Sequence, residues 1–175
     1  MSQTDILILS DTHGRDDLIP QTVRLAHPHL MIFCGDGLRD FDPDSLLCPL
    51  YAVRGNCDWS YAPHLGEIGD SLSLNFDGVK LLITHGHRFS VKHGLGALVS
   101  YAVQENVDAV IFGHTHEPLD ILLSSEHAYE RFGISLNKPL QLFNPGSLGY
   151  APHSFGTLTI RNGISLFGHG RLELK

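Results

Sequence analysis

Asp108-Ala109-Val110-Ile111-Phe112-Gly113-His114-Thr115-His116 is a short apolar run that ends in a glycine and two spaced histidines. The run is rich in β-branched residues and reads as a buried strand. The glycine frees the backbone where the strand stops. In extended chain, residues i and i+2 face one side, so His114 and His116 can present two imidazoles together. Neutral imidazole is a common metal ligand. The chain has twelve histidines, so one His-x-His pair carries little weight. Its meaning depends on what other strands bring to it.

The composition narrows the classes. A chain of 175 residues is long enough for a sizeable core, and one domain over 1–175 is the expectation. Hydrophobic residues make up 42% and charged residues 18%, as in ordinary globular proteins. No apolar run approaches the roughly 20 residues of a membrane helix. Met1 to Asp11 lacks a basic segment and carries Asp5, so it does not read as a signal peptide. The formal net charge is -7 with 12 Lys plus Arg, which argues against binding to duplex nucleic acid. Phosphate substrates stay open, because metal ions can supply positive charge. The cysteines, Cys34, Cys48 and Cys57, are three in number. An odd, sparse set argues against a disulfide framework, and a reducing cytoplasm is the expected setting.

Working outward, other apolar runs end in polar loops. Ile6–Leu9 leads to Asp11-Thr12-His13, Leu30–Cys34 to Gly35-Asp36, and Leu50–Val53 to Gly55-Asn56. A helix is expected over Asp16–Ala26, giving an opening β-α-β unit. Ser71–Phe76 and Val79–Ile83 flank Asp77-Gly78, a hairpin signal, and the second run ends at Thr84-His85. Gly94–Asn106 carries an apolar helical face. Later runs, Ile121–Leu123, Leu140–Phe143, Phe155–Ile160 and Ile164–Phe167, read as further strands, the last two joined near Asn162-Gly163. Asn144-Pro145-Gly146-Ser147 reads as a tight polar loop. The polar Ser124–Lys138 segment reads as a surface excursion. The chain is therefore α/β, with parallel strands early and antiparallel pairs late.

In open α/β sheets, sites lie beyond the carboxyl ends of strands. Here five strand ends deliver Asp11 and His13, Asp36, Asn56, His85, and His114 with His116. Each alone is ordinary, since Asp and Asn are turn residues. Together they are not what chance would place. Seven ligands suit two ions sharing a carboxylate. Nitrogen and oxygen donors without thiolate fit Mn, Fe, Zn or Co. Two such ions about 3.5–4 Å apart form the clamp used for in-line displacement at phosphorus.

These blocks, with Arg54-Gly55-Asn56-Cys57-Asp58, Thr84-His85-Gly86-His87 and Asn144-Pro145-Gly146-Ser147, resemble the calcineurin-like metallophosphoesterases, and among them the small YfcE-like phosphodiesterases. The resemblance runs from about Asp5 to about Ile160. It implies a four-layer sandwich of two facing mixed β-sheets with helices outside. It implies that Asp11, His13 and His116 bind one metal, that Asn56, His85 and His114 bind a second, and that Asp36 bridges. The cofactors implied are two divalent ions, manganese first, with zinc, iron, cobalt or nickel as alternatives. The implied reaction is attack on a small phosphodiester by a metal-bridging hydroxide. Phosphomonoester or nucleotide pyrophosphate hydrolysis lies in the same class. The retromer subunit of this fold supplies a rival, an interaction scaffold with impaired metal sites. All seven positions here carry competent side chains, which favours the enzyme. Whether copies of the chain associate stays open.

One departure concerns the residue after Asn56. Many members of the wider superfamily place a histidine there to protonate the leaving group. This chain has Cys57, followed by Asp58, and both are candidate catalytic residues. A thiol is a weak hydrogen-bond donor, so help to the leaving group is expected to be weak. His87 is a candidate pocket residue, and Asn144 and Ser147 either touch the site or only turn the chain. Arg54 either meets phosphate or forms a salt bridge. Asp40-x-Asp42-x-Asp44 fails as a calcium loop, because Ser45 and Tyr51 stand where Gly and Glu are needed. His27, His29, His64, His93, His127, His153 and His169 are expected at the surface.

Overall fold

The computed structural model describes residues 3–59 and 67–174, so His64 lies outside the described residues. The first sheet has the order β10-β9-β1-β2-β3, built from β1 (Gln3–Leu9), β2 (Leu30–Phe33), β3 (Leu50–Ala52), β9 (Ser154–Arg161) and β10 (Ile164–Arg171). The second has the order β4-β5-β6-β8-β7, built from β4 (Ser71–Phe76), β5 (Val79–Thr84), β6 (Ala109–Ile111), β7 (Pro118–Leu123) and β8 (Leu140–Pro145). β1, β2 and β3 are parallel, as are β5, β6 and β8, and the remaining partners run antiparallel. Both sheets are therefore mixed.

Alternation along the strands sets the layers. Ile6 and Ile8 of β1 pack with Ile32, Leu81, Ile83 and Ile111 between the sheets. Leu7 and Leu9, one step out of phase, face the other way and pack with Leu18, Ile19 and Val23 of α1 (Leu18–Ala26). Leu82, Val110 and Leu142 of the second sheet pack outward on Leu98, Val99 and Ala102 of α2 (Gly96–Gln104). Strands buried on both faces need unbroken apolar runs, and those runs carried the sequence reading. The result is four layers, helix, sheet, sheet, helix. Among the described residues no helix is long and apolar enough to cross a membrane.

Two expectations are corrected. Ser124–Lys138 is not a bare excursion, because it contains α3 (Ser125–Phe132). Ser124 caps it by accepting the His127 N–H, and Gly133 closes it with a left-handed φ of 69°. Ala128 and Leu136 are buried, and Phe132 and Ile134 pack on the outer core of the second sheet. Asn144-Pro145-Gly146-Ser147 is not simply a loop. β8 runs through Pro145, and Asn144 and Ser147 are buried.

Candidate metal centre

The carboxyl ends of β1, β2 and β3 in one sheet and of β5 and β6 in the other meet at a single edge of the sandwich. Three sets of ligand atoms lie there within 4.8 Å of one another: Asp11, His13 and His116; Asp36, His85 and His114; and His13, Asp36 and Cys57. Asn56 joins the second set, its Oδ1 lying 3.1 Å from His85 Nε2. All seven sequence-identified ligands are thus brought together.

The backbone that delivers them is unusual. Asp11, His13, Asp36, His114 and His116 have φ of 53°, 46°, 62°, 69° and 63°. This left-handed region costs about 1–2 kcal/mol for most side chains, and Asp, Asn and His are the types enriched in it. Each turn throws its side chain back across the strand ends. The turns are knitted together by main-chain bonds, Asp11 N–H to Gly35 O at 2.9 Å and Gly113 N–H to His85 O at 3.2 Å. Close approach demands glycine at two points. A Cβ on Gly55 would collide with the Asp36 carboxylate, and one on Gly113 with the Ser10 hydroxyl.

The polar geometry tests whether cations fit. Asp11 Oδ2 accepts from Ser10 Oγ at 2.5 Å and from the His114 N–H at 3.0 Å. Asp11 Oδ1 is buried without a hydrogen bond. It faces His116 Nε2 at 3.1 Å and His13 Nε2 at 3.7 Å, and those two nitrogens lie 3.4 Å apart. On the other side, His85 Nδ1 lies 2.7 Å from the Cys34 carbonyl oxygen. A carbonyl only accepts, so Nδ1 carries the proton. Burial opposes protonation of the ring, but the Asp36 and Asp11 carboxylates outweigh it and raise its pKa. Deprotonated, the ring turns its Nε2 lone pair towards Asn56 Oδ1 and Asp36 Oδ2, the latter at 3.3 Å. A divalent cation displaces the protons such groups would share and satisfies the converging lone pairs. The residues present fit a metal on each side of Asp36.

The electrostatics agree. Burial opposes ionisation of Asp11, but His116, His13 and His85 outweigh it and hold the carboxyl well below its ordinary range. Burial also opposes ionisation of Asp36, and His85 overcomes it, leaving a pKa of about 2. Both are carboxylates at neutral pH. Burial, reinforced by His85 and Lys92, pushes His114 down to about 4, so its ring is neutral and free to ligate. His13 is raised, chiefly by the Asp11 carboxylate it faces.

The remaining candidates separate. Cys57 is exposed at the edge of the centre. Its N–H donates to Asp36 Oδ1 at 2.6 Å, and its Sγ lies 3.3 Å from Asn56 Nδ2. Burial and the Asp36 carboxylate push the thiol up to about 11. Asp58 is placed differently. Its carboxylate accepts the N–H groups of Asp36, Gly55, Gly37 and Leu38 at 2.8 to 2.9 Å. That tie holds the Asp36 and Asn56 loops to each other.

Asn144 donates to Gly113 O at 2.9 Å and to Thr115 Oγ1 at 3.1 Å. Ser147 donates to Asp11 O at 2.8 Å. Both therefore brace the ligand turns. Arg54 forms the salt bridge, with Asp70. His87 is half-buried against the His85 and His114 rings. Of the remaining histidines, His27, His29, His93 and His127 are exposed. His153 is half-buried, with Nδ1 2.8 Å from Leu148 O. His169 is exposed yet partnered, stacking on Phe143 and meeting Asn144 O at 2.7 Å. Sequence reasoning missed Tyr150, whose ring stacks on His116 and contacts His13, each at 5.2 Å. No spacing signal marks it.

Comparison with known proteins gives a consistent result. The sequence profile described as the calcineurin-like phosphoesterase superfamily domain matches residues 5–163. The chain is 35% identical over 115 residues to the probable metallophosphoesterase YsnB of Bacillus subtilis, a match spanning 64% of each protein, just under two thirds of the relative's length. It is 30% identical over 126 residues to phosphodiesterase MJ0936 of Methanocaldococcus jannaschii, covering 63% of this chain and 72% of that one. The fold is similar to the crystal structure of a predicted phosphoesterase from Streptococcus pneumoniae TIGR4, with TM-score 0.73, 20% identity and coverage of 98% and 91%.

Proposed function

The chain belongs to the calcineurin-like phosphoesterase superfamily, and from that premise we propose that it is a phosphodiesterase using two divalent cations, acting as one domain in the cytoplasm. The observation that carries this reading is the pair of ligand sets flanking Asp36. Asp11, His13 and His116 would hold one ion, and Asn56, His85 and His114 the other, with Asp36 shared. Manganese suits a donor set of imidazole, carboxylate and amide oxygen without thiolate. When bound, the ions offset charge on the phosphoryl oxygens and make water more acidic.

The chain's own residues do the rest. Asp11 and Asp36 stay ionised, so the site holds a fixed negative charge that only cations balance. The left-handed turns and the Asp58 tie pre-position the ligands, so little reorganisation accompanies reaction. In the hydrolysis, a water oxygen bonds to phosphorus as the bond from phosphorus to the leaving oxygen breaks. That oxygen keeps the electron pair and takes a proton. Cys57 is the nearest candidate donor, and a weak one. A diester is preferred to a monoester in this reading, in keeping with the name of the Methanocaldococcus relative.

The test compares bis(p-nitrophenyl) phosphate with p-nitrophenyl phosphate, each with and without Mn²⁺. Faster, metal-stimulated turnover of the diester is expected. No metal-stimulated turnover of either, in a protein that also fails to bind metal, favours the scaffold reading.

A further inference from the structure

We propose that the cleft walled by Arg54, Asn56, Trp59, Asp70, His87 and Arg88 receives one ester arm of the substrate, and that this arm is a nucleoside bearing a further phosphate. The inference rests on the phosphodiesterase reading and names the substrate class for that site. The cleft has a volume of about 430 Å³, within the range of roughly 300–1,000 Å³ typical of small-molecule sites. It opens directly from the metal centre. Asn56 belongs to both, and the His87 ring lies 5.4 Å from that of His85.

Its wall gathers cations that are sparse elsewhere in the chain. In a protein of net charge -7, two guanidinium groups are brought to one wall. Asp70 holds both: Oδ1 accepts from Arg54 Nη2 at 2.8 Å and Nε at 3.0 Å, and Oδ2 accepts from Arg88 Nε at 2.5 Å. Asp58 also lines the cleft, but its carboxylate is engaged by the Asp36, Gly37, Leu38 and Gly55 N–H groups, so the Asp70 carboxylate alone faces the two guanidiniums. Because the carboxylate already fixes both side chains, an arriving phosphate orders little that was free. Each guanidinium presents five N–H donors in a planar fork suited to phosphate oxygens.

The second element is aromatic. Trp59 is the only tryptophan in the chain and is 89% exposed. A large indole left in water costs apolar hydration unless a ligand covers it. Beside an anion-binding wall, the flat ligand it suits is a nucleobase, which stacks whatever its identity. Trp59 follows Asn56 by three positions, so the base platform, the arginines and the ligand loop are all within reach of one nucleotide arm.

Intrinsic fluorescence reports this cleft directly, because Trp59 is the single tryptophan. The protein, as purified and again after chelation, is titrated with thymidine 3′,5′-bisphosphate, thymidine and inorganic phosphate. The bisphosphate is expected to quench at a concentration about tenfold lower than thymidine, with no quenching by phosphate alone. Arg88→Gln should bring the bisphosphate to the thymidine level, and Arg88→Lys should recover part of the difference. In turnover, Trp59→Ala should raise KM for thymidine 3′-phosphate 5′-(p-nitrophenyl phosphate) about tenfold, within the range known for base stacking. The rise for methyl p-nitrophenyl phosphate, which carries no base, should be smaller. Absence of quenching by the bisphosphate, or equal quenching in Arg88→Gln, overturns the proposal. So does a Trp59→Ala effect of the same size on both esters. Quenching without metal-stimulated turnover of either ester overturns the phosphodiesterase reading and leaves a nucleotide cleft. Turnover without quenching does the reverse.

Discussion

The Nε2 atoms of His13 and His116 face each other across 3.4 Å, although the residues stand 103 positions apart. Two imidazole nitrogens at that distance, both beside an unbonded carboxylate oxygen of Asp11, form half of a coordination sphere. Metal is therefore expected to stabilise the native chain. At a hundredfold excess over Kd, binding contributes about 2.7 kcal/mol. For a chain of this size that is a rise of roughly 5–10 °C in Tm, read by calorimetry with and without Mn²⁺. His116→Ala should lose the ion held with Asp11 and His13, and His114→Ala the ion held with His85. Elemental analysis should then find about one metal per chain in either variant. Loss of both metals from each would show that the two positions are not separable.

Asp58 gives a second expectation. Its two oxygens accept four main-chain N–H groups. Asp58→Ala leaves them to water or unpaired, at a cost of about 2–4 kcal/mol, measurable by urea unfolding. Metal affinity should fall along with stability, since Asp36 and Asn56 sit on the loosened loops. An Asp58→Asn protein with full stability and metal content but little turnover would instead make Asp58 part of the chemistry.

Cys57 gives a third. A thiol donates a hydrogen bond weakly, so the rate should depend steeply on leaving-group acidity. Cys57→His, assayed on diesters of graded leaving-group pKa, should flatten that dependence and help alkyl leaving groups most. Equal slopes in both proteins would remove any role for this position in protonating the leaving group.

Away from the centre, Lys138 Nζ lies 2.6 Å from Oδ1 of Asp108, the residue before β6. Burial raises the Asp108 pKa, but Lys138 and the Lys80 N–H outweigh it, so the folded value is depressed. The unfolded value is near 3.9. The contribution is therefore complete above about pH 4 and is lost as pH falls through the folded value. Both groups are about a third exposed, so it should be below about 1 kcal/mol. The Tm difference between wild type and Asp108→Asn should be seen at pH 7 and shrink towards pH 3. A difference that holds at low pH would assign the effect to packing.

The strands and the ligands were legible for one physical reason. Strands buried on both faces require continuous apolar runs, and β1, β2, β5 and β6 each end just before a ligand. What escaped lacks such a period. Residues 125–132 form a short, mostly polar helix whose inward face is Ala128 and Phe132, too little for a helical stripe to stand out. The left-handed turns at Asp11, His13, Asp36, His114 and His116 are allowed by residue type but announced by nothing local. The Asp58 tie joins the loops after β2 and β3, and the Arg54–Asp70–Arg88 bridge joins loops of both sheets, so neither shows as a local period. Tyr150 covers His116 from the β8–β9 connection, more than thirty residues further along the chain.

Each candidate ion draws donors from both sheets: Asp11 and His13 with His116 on one side, Asn56 with His85 and His114 on the other. Neither sheet alone offers a complete set. A cation therefore has nothing to template while the chain is still assembling, and finds its place only once the halves have docked. Interactions missing from the folding transition state act on the unfolding rate. Metal should lengthen the lifetime of the native protein while leaving the speed at which it forms almost untouched.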